Sequence, residues 1–383
     1  MLCSIHVRGR GGARPRKGDA TMFDYADRRT RLLDQITADA YFAYNLEDSD
    51  PVTLRYLTGF TGEGALLLSS SEPLLLVDSR YTEQARRETD GVRIEETRAW
   101  VLKGGADAIT SAGHRRVVFP SSRATCHWLG EMGKLGEFEL VPDRDPVAAL
   151  RRTKNADEIG HLKAAAKIAD DALSELVPEI RIGMDEAEIA LRLEILIRRG
   201  EAEGIAFNIN VSAGENTALN HYSPFHGRRP LKAGDLLLFD FGACVHGYRS
   251  DITRTFSVGA PTHKAREIYD IVLRANQAAI DATRGGVTGV AVDAVARDLI
   301  TEAGYGGEFG HGLGHGIGLE VHEAPGLSPR STDTLESGMA VTIEPGIYLT
   351  GFGGVRIEDD VIVTDDGCQV ITAFPKDRLI EVG

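Results

Sequence analysis

Five glycines alternate with other residues between Gly310 and Gly318, and this spacing restricts the local backbone more than any other feature of the chain. A helix would be destabilised by about 1 kcal/mol for each glycine relative to alanine, so we expect extended or looped backbone. His311 and His315 lie within the run and His322 follows it. In an extended chain the first two histidines share a face. Their spacing excludes the helical HExxH zinc-protease motif and favours a functional site of another kind.

An aspartate stands within an otherwise apolar, strand-like run and a second follows eleven residues later. These are Asp240 and Asp251. A lone buried carboxylate costs several kcal/mol unless it is paired, protonated or bound to a metal. If the two segments form a hairpin that turns at residues 245–247, the two carboxylates face each other across the strands, and a divalent cation would offset their repulsion. A salt bridge to Arg249 or Arg254 is the alternative, and both interpretations remain open at this point.

Two further carboxylates lie on strand-like segments near the C-terminus. Glu344 ends an apolar run before Pro-Gly, and Glu358 shares a strand face with Arg356. Taken singly, Glu344 also fits a turn residue and Glu358 a charge on the solvent face. Taken with one histidine, the carboxylates form a hard, oxygen-rich donor set that suits Mn²⁺, Fe²⁺, Co²⁺ or Zn²⁺ in a carboxylate-bridged pair. The candidate set is Asp240, Asp251, His315, Glu344 and Glu358.

Charge and cysteine content argue against several other classes of protein. Lys and Arg number 43 against 57 Asp and Glu, a net charge of −14, which disfavours binding to nucleic acid or to anionic membranes. None of the four cysteines forms a CxxC pair, so a disulfide framework is not expected and a reducing cytoplasm fits. No apolar run approaches the roughly 18–20 residues that span a bilayer. We therefore expect a cytoplasmic protein.

The first 21 residues differ from the rest of the chain. They carry five basic side chains and one acidic side chain, and no apolar segment follows as it would in a secretory signal. An Arg-rich transit peptide is one alternative. We favour a disordered or non-native tail upstream of a start at Met22.

Hydrophobic patterning predicts two domains. Residues 22–150 alternate strands and helices, which is typical of an α/β domain with a parallel or mixed sheet. Residues 151–383 separate them, which favours an α+β domain with an antiparallel sheet covered by helices. The predicted helices are 27–36, 80–89, 122–135, 155–180, 189–199, 264–283 and 290–303, and the predicted strands are 41–44, 65–68, 74–77, 92–95, 117–119, 138–141, 207–211, 236–241, 253–258, 340–347 and 355–363.

The ordered series Asp-x10-Asp, the glycine and histidine run, Glu-Pro-Gly and Arg-x-Glu resembles the dinuclear metallopeptidases of the pita-bread fold, which include methionine aminopeptidase, prolidase and aminopeptidase P. The resemblance covers about residues 155–380. Residues 311–323 are similar to the signature shared by prolidase and aminopeptidase P. Residues 56–62 and 78–82 resemble the creatinase-type N-terminal domain of the proline-specific members. We therefore expect a creatinase-like α/β domain followed by an α+β pita-bread catalytic domain.

The resemblance also implies a role for each candidate residue. It implies two divalent metal ions, foremost Mn²⁺ with Co²⁺, Zn²⁺ or Fe²⁺ as alternatives, held by Asp240, Asp251, His315, Glu344 and Glu358. Within that set Asp251 and Glu358 would bridge the ions, and Glu344 would also shuttle a proton. His221 would bind substrate, and His322 would contact the substrate carbonyl or its developing oxyanion. His311 and Arg356 would be further pocket residues.

The implied reaction is hydrolysis of an N-terminal Xaa-Pro bond by a hydroxide that bridges the two metal ions. Aminopeptidase P acts on longer peptides, whereas prolidase acts on Xaa-Pro dipeptides and must recognise a free proline carboxylate. The compact length and residues 56–61 and 80–82 favour aminopeptidase P, with prolidase as the alternative. Creatinase, which works without metals, and non-catalytic binding relatives lack the full ligand set, and all five ligands are present here. A proline-containing peptide is the expected partner, and the resemblance implies a homodimer.

Overall fold

The computed structural model describes residues 23–383, so the basic segment at residues 1–21 and Met22 lie outside the described residues. The N-terminal part is built on a six-stranded sheet. Its helices are α1 (Tyr25–Gln35), α2 (Pro51–Thr58), α3 (Thr82–Glu88), α4 (Val101–Ser111), α5 (Cys126–Leu135) and α6 (Pro146–Arg151). Its strands are β1 (Ala40–Asn45), β2 (Gly64–Ser69), β3 (Leu74–Val77), β4 (Arg93–Glu96), β5 (Arg116–Pro120) and β6 (Glu139–Asp143).

The six strands lie in the order β4-β3-β2-β1-β5-β6. β1, β2 and β3 pair antiparallel, and β4, β5 and β6 each pair parallel with a neighbour. The sheet is therefore mixed, as the alternation of strands and helices predicts. Helices α2, α4 and α6 are absent from the predicted elements. In α4, Gly105 packs on the sheet, since a Cβ there would lie 2.6 Å from the Phe42 ring.

The C-terminal part contains four long helices and several small sheets. The helices are α7 (Ala156–Leu176), α8 (Glu186–Arg199), α9 (His263–Ala282) and α10 (Gly289–Glu302), with short 3₁₀ turns at Val177–Glu179, Gly214–Ala218 and Gly306–Glu308. The strands are β7 (Gly204–Ile205), β8 (Asn210–Ala213), β9 (Leu236–Phe241), β10 (Ala243–Val245), β11 (Tyr248–Arg249), β12 (Ile252–Val258), β13 (Gly314–Gly316), β14 (Glu323–Leu327), β15 (Ala340–Ile343), β16 (Gly346–Leu349), β17 (Gly353–Arg356), β18 (Asp359–Val363), β19 (Cys368–Val370) and β20 (Ile380–Val382).

Two of these sheets carry the centre of the C-terminal part. One has the order β20-β12-β9-β8 and the other β14-β13-β15-β18-β19, beside the smaller sheets β11-β10-β7 and β16-β17. The described pairings are antiparallel except for β12 with β20. One apolar cluster packs α7 and α8 against β8, β9 and β12, and another packs α9 and α10 against β15, β17 and β18. The expected antiparallel sheet is thus divided into several sheets covered by helices.

Local signals fix where the long helices begin. Asn155 caps α7, and the Glu158 side chain accepts from the Asn155 backbone in a reciprocal capping box. The side chain of Asp185 caps α8 by accepting from the Glu188 backbone.

The two parts of the molecule share an apolar core that includes residues from both, so the division between residues 150 and 151 stays a prediction. Among residues 23–383, no helix combines the length and apolar character needed to cross a membrane.

The turn after β9 depends on a glycine. Gly242 separates β9 from β10, and a Cβ at this position would lie 1.8 Å from the Ser250 carbonyl oxygen. We expect Gly242→Ala to lower the free energy of unfolding by about 3 kcal/mol, because the strand that precedes Asp251 must move. Chemical denaturation measures this. Gly133→Ala in α5 is the control, since nothing lies within 4 Å of its Cβ and it should gain about 0.5–1 kcal/mol. A G242A protein as stable as wild type would contradict the close approach.

Candidate active site

One cavity of about 650 Å³ lies between the two central sheets of the C-terminal part. All nine residues singled out from the sequence line it, although they are spread over more than 130 positions. They are His221, Asp240, Asp251, His311, His315, His322, Glu344, Arg356 and Glu358. The roles implied for them stay predictions, but the fold brings the side chains together.

The two aspartates lie on one face of a strand pair, with a register that differs from the expected one. β9 and β12 pair antiparallel, but Asp240 is opposite Thr253 rather than opposite Asp251. Asp251 immediately precedes β12, two residues before Thr253, so it is the diagonal neighbour of Asp240 on the same face. The hairpin turn forms where it was predicted, with Val245 of β10 opposite Tyr248 of β11. The same register continues into β9 and β12 and sets Asp240 opposite Thr253, so the expectation that Asp240 lies directly opposite Asp251 was wrong by two residues.

The two glutamates lie where strands are interrupted. The segment predicted as a strand at 340–347 breaks between β15 and β16, at Glu344 and Pro345. The segment predicted at 355–363 breaks between β17 and β18, at Glu358. At both breaks the chain passes between the five-stranded sheet and the β16-β17 hairpin. An interrupted strand releases a side chain from the alternation of a sheet, and both carboxylates reach the cavity.

The glycine and histidine run is extended where it enters the sheet, as its composition predicts. His315 lies in β13, and its Nε2 atom is 3.4 Å from Glu344 Oε1 and 3.8 Å from Asp251 Oδ2. The Nδ1 atom of His315 lies 3.1 Å from the Gly316 carbonyl oxygen. The Nε2 atom therefore points into the group of carboxylates. A Cβ at Gly314 would lie 2.0 Å from the Thr342 carbonyl oxygen, so the glycine allows β13 to approach β15.

His311, His221 and His322 occupy the wall of the cavity. The Nε2 atom of His311 is 2.9 Å from the Tyr348 hydroxyl. The side chains of His221 and His322 are exposed to solvent. The His322 ring centroid lies 4.3 Å from that of His315. These two exposed imidazoles are available to a ligand that enters the cavity.

Arg356 neutralises one of the carboxylates. Its Nη2 atom is 2.5 Å from Asp240 Oδ2, its Nη1 atom donates to the Tyr348 hydroxyl at 3.0 Å, and its Nε atom donates to Thr253 Oγ1 at 3.0 Å. The salt bridges that were the alternative to a metal site do not form. Arg249 donates to backbone carbonyls, and Arg254 pairs with Asp359. The prediction of a salt bridge from Arg249 or Arg254 is therefore wrong, because Arg356 makes the ion pair with Asp240 instead.

Burial raises the pKa of every carboxyl group of the set. It does so for Asp240, and well above the usual range for Asp251 and Glu358, whose carboxylate neighbours add to the rise. The pKa of Glu344 rises to about 8, through burial and the charge of Asp240, although Arg356 opposes it. Burial also lowers the pKa of His315 to about 4, so this imidazole is neutral at pH 7 and can donate a lone pair.

The donor set fits a divalent cation. One donor atom from each of Asp251, His315 and Glu358 can be chosen so that all lie within 4.8 Å of one another. Asp251 Oδ1 is buried without a hydrogen-bond partner, which is costly unless something binds it. Asp240 and Glu344 lie outside this group of three, and their place as ligands stays a prediction. Uncompensated carboxylates with a neutral imidazole are the arrangement that a cation relieves.

Two residues of the site escaped the sequence analysis. Tyr348 bonds both His311 and Arg356, and Thr253 donates to Glu358 Oε2 at 2.7 Å. Thr253 comes two residues after Asp251, and residues i and i+2 of a strand lie on the same face. This spacing could have identified Thr253 from the sequence. Tyr348 depends on the β16-β17 pairing, which sets Gly346 opposite Arg356 and which no local signal revealed.

Comparison with known proteins agrees with this geometry. Residues 160–365 match the model of metallopeptidase family M24, and residues 28–153 match the creatinase/prolidase N-terminal domain. A solved Xaa-Pro dipeptidase from Bacillus anthracis is 40% identical, with a TM-score of 0.88 over 94% of this chain and 100% of that one. An X-Pro aminopeptidase from Thermotoga maritima is 37% identical, with a TM-score of 0.87 over 93% and 100%. An Xaa-Pro dipeptidase of Pyrococcus furiosus is 33% identical over 94% of this chain and 100% of its own length.

These matches confirm the predicted creatinase-like N-terminal domain and pita-bread catalytic domain. The first family model covers more than half of the chain, and the relatives are covered along their whole length. The chain therefore belongs to metallopeptidase family M24.

Proposed function

We propose that this protein is a metal-dependent Xaa-Pro dipeptidase. The observation that carries the proposal is the single cavity that gathers four carboxylates, a neutral His315 and two exposed histidines. Two of the three relatives described above are named Xaa-Pro dipeptidases. This support favours prolidase, which was the alternative prediction from the sequence, over aminopeptidase P. The X-Pro aminopeptidase from Thermotoga maritima keeps aminopeptidase P as the second candidate.

In this proposal the residues of the cavity divide the work. Two divalent ions held by Asp240, Asp251, His315, Glu344 and Glu358, foremost Mn²⁺, would act as Lewis acids and lower the pKa of bound water when present. Arg356 holds Asp240 in place. His221 and His322 bind the substrate carbonyl, and donate to its oxygen as negative charge develops there.

Glu344 completes the proposal as the proton carrier. Its buried carboxyl group has a pKa of about 8 in the protein alone, and nearby cations would lower this value. In this role a carboxylate oxygen of Glu344 takes a proton from water and delivers it to the proline nitrogen, which leaves poorly unless protonated.

Metal binding has a readout that does not depend on catalysis. Mn²⁺ added to chelator-treated protein should raise the thermal unfolding midpoint by several degrees, since a ligand at one hundred times its Kd adds about 2.7 kcal/mol. The carboxyl groups with raised pKa must lose protons before they bind a cation, so the shift should grow from about pH 6 to about pH 8.

The matched variants for that measurement are Asp251→Asn and Asp365→Asn. D251N replaces a buried carboxyl group whose charged form is disfavoured by its neighbours, so it should keep or raise the midpoint of the metal-free protein and abolish the response to Mn²⁺. D365N alters an exposed residue and should respond as wild type. An undiminished response in D251N would contradict the metal site.

Substrate length distinguishes the two candidate functions. With Mn²⁺ bound, we expect an Xaa-Pro dipeptide to be hydrolysed with kcat/KM at least tenfold above that of the matching Xaa-Pro-Yaa tripeptide, because a dipeptidase recognises the free proline carboxylate. The Xaa-Pro amide, which lacks that charge, is the control and should be as poor as the tripeptide. A tripeptide hydrolysed faster than the dipeptide would assign the chain to aminopeptidase P.

The proton-carrier role of Glu344 has its own test. Glu344→Gln should lower kcat by about 10²–10⁴-fold, the usual contribution of general acid-base catalysis, in protein whose metal content is measured by elemental analysis. Glu336→Gln, at an exposed glutamate in the preceding turn, should keep wild-type turnover. Near-normal turnover of E344Q with its metals bound would exclude the role.

A further inference from the structure

We propose that Arg123 of the N-terminal domain and Arg151, at the end of α6 beside the domain boundary, are positioning residues for His322. They hold the His322 loop, residues 317–322 between β13 and β14, against the cavity. This inference rests on the proposed function, because it gives the N-terminal domain a part in the same reaction.

Two carboxylates flank His322 in the sequence, and both are held from the N-terminal side. Glu320 lies two residues before it and Glu323 immediately after it. Arg123 donates two parallel hydrogen bonds to Glu320, from Nη1 to Oε1 at 2.7 Å and from Nη2 to Oε2 at 2.7 Å. Bidentate pairs of this kind restrict orientation as well as distance. Arg151 also contacts Glu320 Oε2 and lies 3.5 Å from Glu323 Oε1.

The charges around Glu323 are largely removed from solvent, whereas Arg123 and Glu320 are partly exposed. The side chains of Arg151 and Glu323 are 4% and 3% exposed, and Lys154, 3.3 Å from Glu323 Oε2, is 1% exposed. Arg123 is tied to its own domain by Asp145 Oδ2 at 3.1 Å. A buried pair that loses one partner leaves an uncompensated charge, so the positions of the carboxylates depend strongly on these cations.

The carboxylates in turn shape the loop. The Glu320 backbone donates to Glu323 Oε1 at 3.0 Å, and the Gly318 backbone donates to the Glu320 carbonyl at 3.0 Å. A Cβ at Gly318 would lie 2.8 Å from Glu323 Oε2. Ile317 and Leu319 are buried in the apolar core shared by the two domains. The backbone therefore folds tightly around the Glu323 carboxylate, which Arg151 and Lys154 hold.

Few contacts other than those of its loop fix the position of the His322 side chain. Its side chain is exposed and its ring lies against His315, and within residues 23–383 it makes no hydrogen bond. The ring position is thus set by the loop backbone. Burial raises the pKa of Glu320, but Arg123 and Arg151 outweigh this effect and lower the pKa to about 2. Glu320 therefore stays charged at any ordinary assay pH.

The chain offers a matched control across the same domain interface. Arg55 of α2 donates from Nη2 to both carboxylate oxygens of Glu203, at 2.9 and 3.1 Å. This pair joins the two domains as the Arg123 pair does, with an arginine that is similarly exposed, but Glu203 lies outside the His322 loop. Arg55→Gln therefore measures what the loss of one interdomain ion pair does by itself.

The kinetic test uses full-length, Mn²⁺-loaded protein and an Xaa-Pro dipeptide. Arg123→Gln should lower kcat ten- to hundredfold with KM changed less than threefold, and Arg123→Lys should recover part of the loss through one of the two bonds. R55Q should keep wild-type kcat, with a thermal midpoint similar to that of R123Q. In a His322→Ala background R123Q should cause no further loss. An equal loss with and without His322 would overturn the proposal.

A second measurement holds whether or not the dipeptide is the substrate. In metal-free protein, where no paramagnetic Mn²⁺ broadens the signal, the imidazole Cε1–H resonance of His322, assigned by its absence in H322A, should shift or broaden in R123Q and stay unchanged in R55Q. An unchanged resonance in R123Q would overturn the positioning role. Absence of hydrolysis by the wild-type protein would instead overturn the proposed function, and the resonance would still decide whether Arg123 positions His322.

Discussion

Four carboxyl groups with little exposure to solvent share one cavity, and the organisation of the site follows from their repulsion. Burial disfavours their charge, and each neighbour disfavours it further. The protein supplies one strong counter-charge, Arg356, and aims it at Asp240. The remaining groups retain protons or attract cations. An arrangement this unfavourable in the protein alone suits a divalent metal, because a cation would supply the positive charge that the fold leaves out.

The surrounding fold brings such groups together without exposing them. Asp240 and Asp251 come from one antiparallel pair, while Glu344 and Glu358 come from interruptions where two strands leave their sheet. Glycines at 242 and 314 allow the backbones to approach where a Cβ would clash. The N-terminal domain packs against the C-terminal part through a shared apolar core and the ion cluster around Glu320. It therefore contacts the loop that carries His322, although the residues that line the cavity belong to the C-terminal part.

Much of this was predictable from local patterns. Patterning located the long helices α7 and α9 and the capping box at Asn155, because periodicity and caps involve neighbours in sequence. Asp240 was found because a carboxylate in an apolar strand needs a partner, whereas His221 and His322 were named from the resemblance to a family. The register of Asp251 was missed, as was Tyr348, because both depend on how strands pair. Helices α2, α4 and α6 were also missed, and in α4 Gly105 packs against Phe42.

The amino-acid sequence by itself determined which chemistry is available: four carboxylates and a histidine on extended backbone, in an order typical of one family. It also excluded a helix at the glycine run, because that cost is local. Only the tertiary structure decided which charge faces which. Arg249 and Arg254 are near Asp251 in sequence, yet Arg356, 116 residues from Asp240, makes the pair. Arg123 meets Glu320 across 197 residues. Coulomb energy depends on distance and burial in space, and sequence separation carries neither.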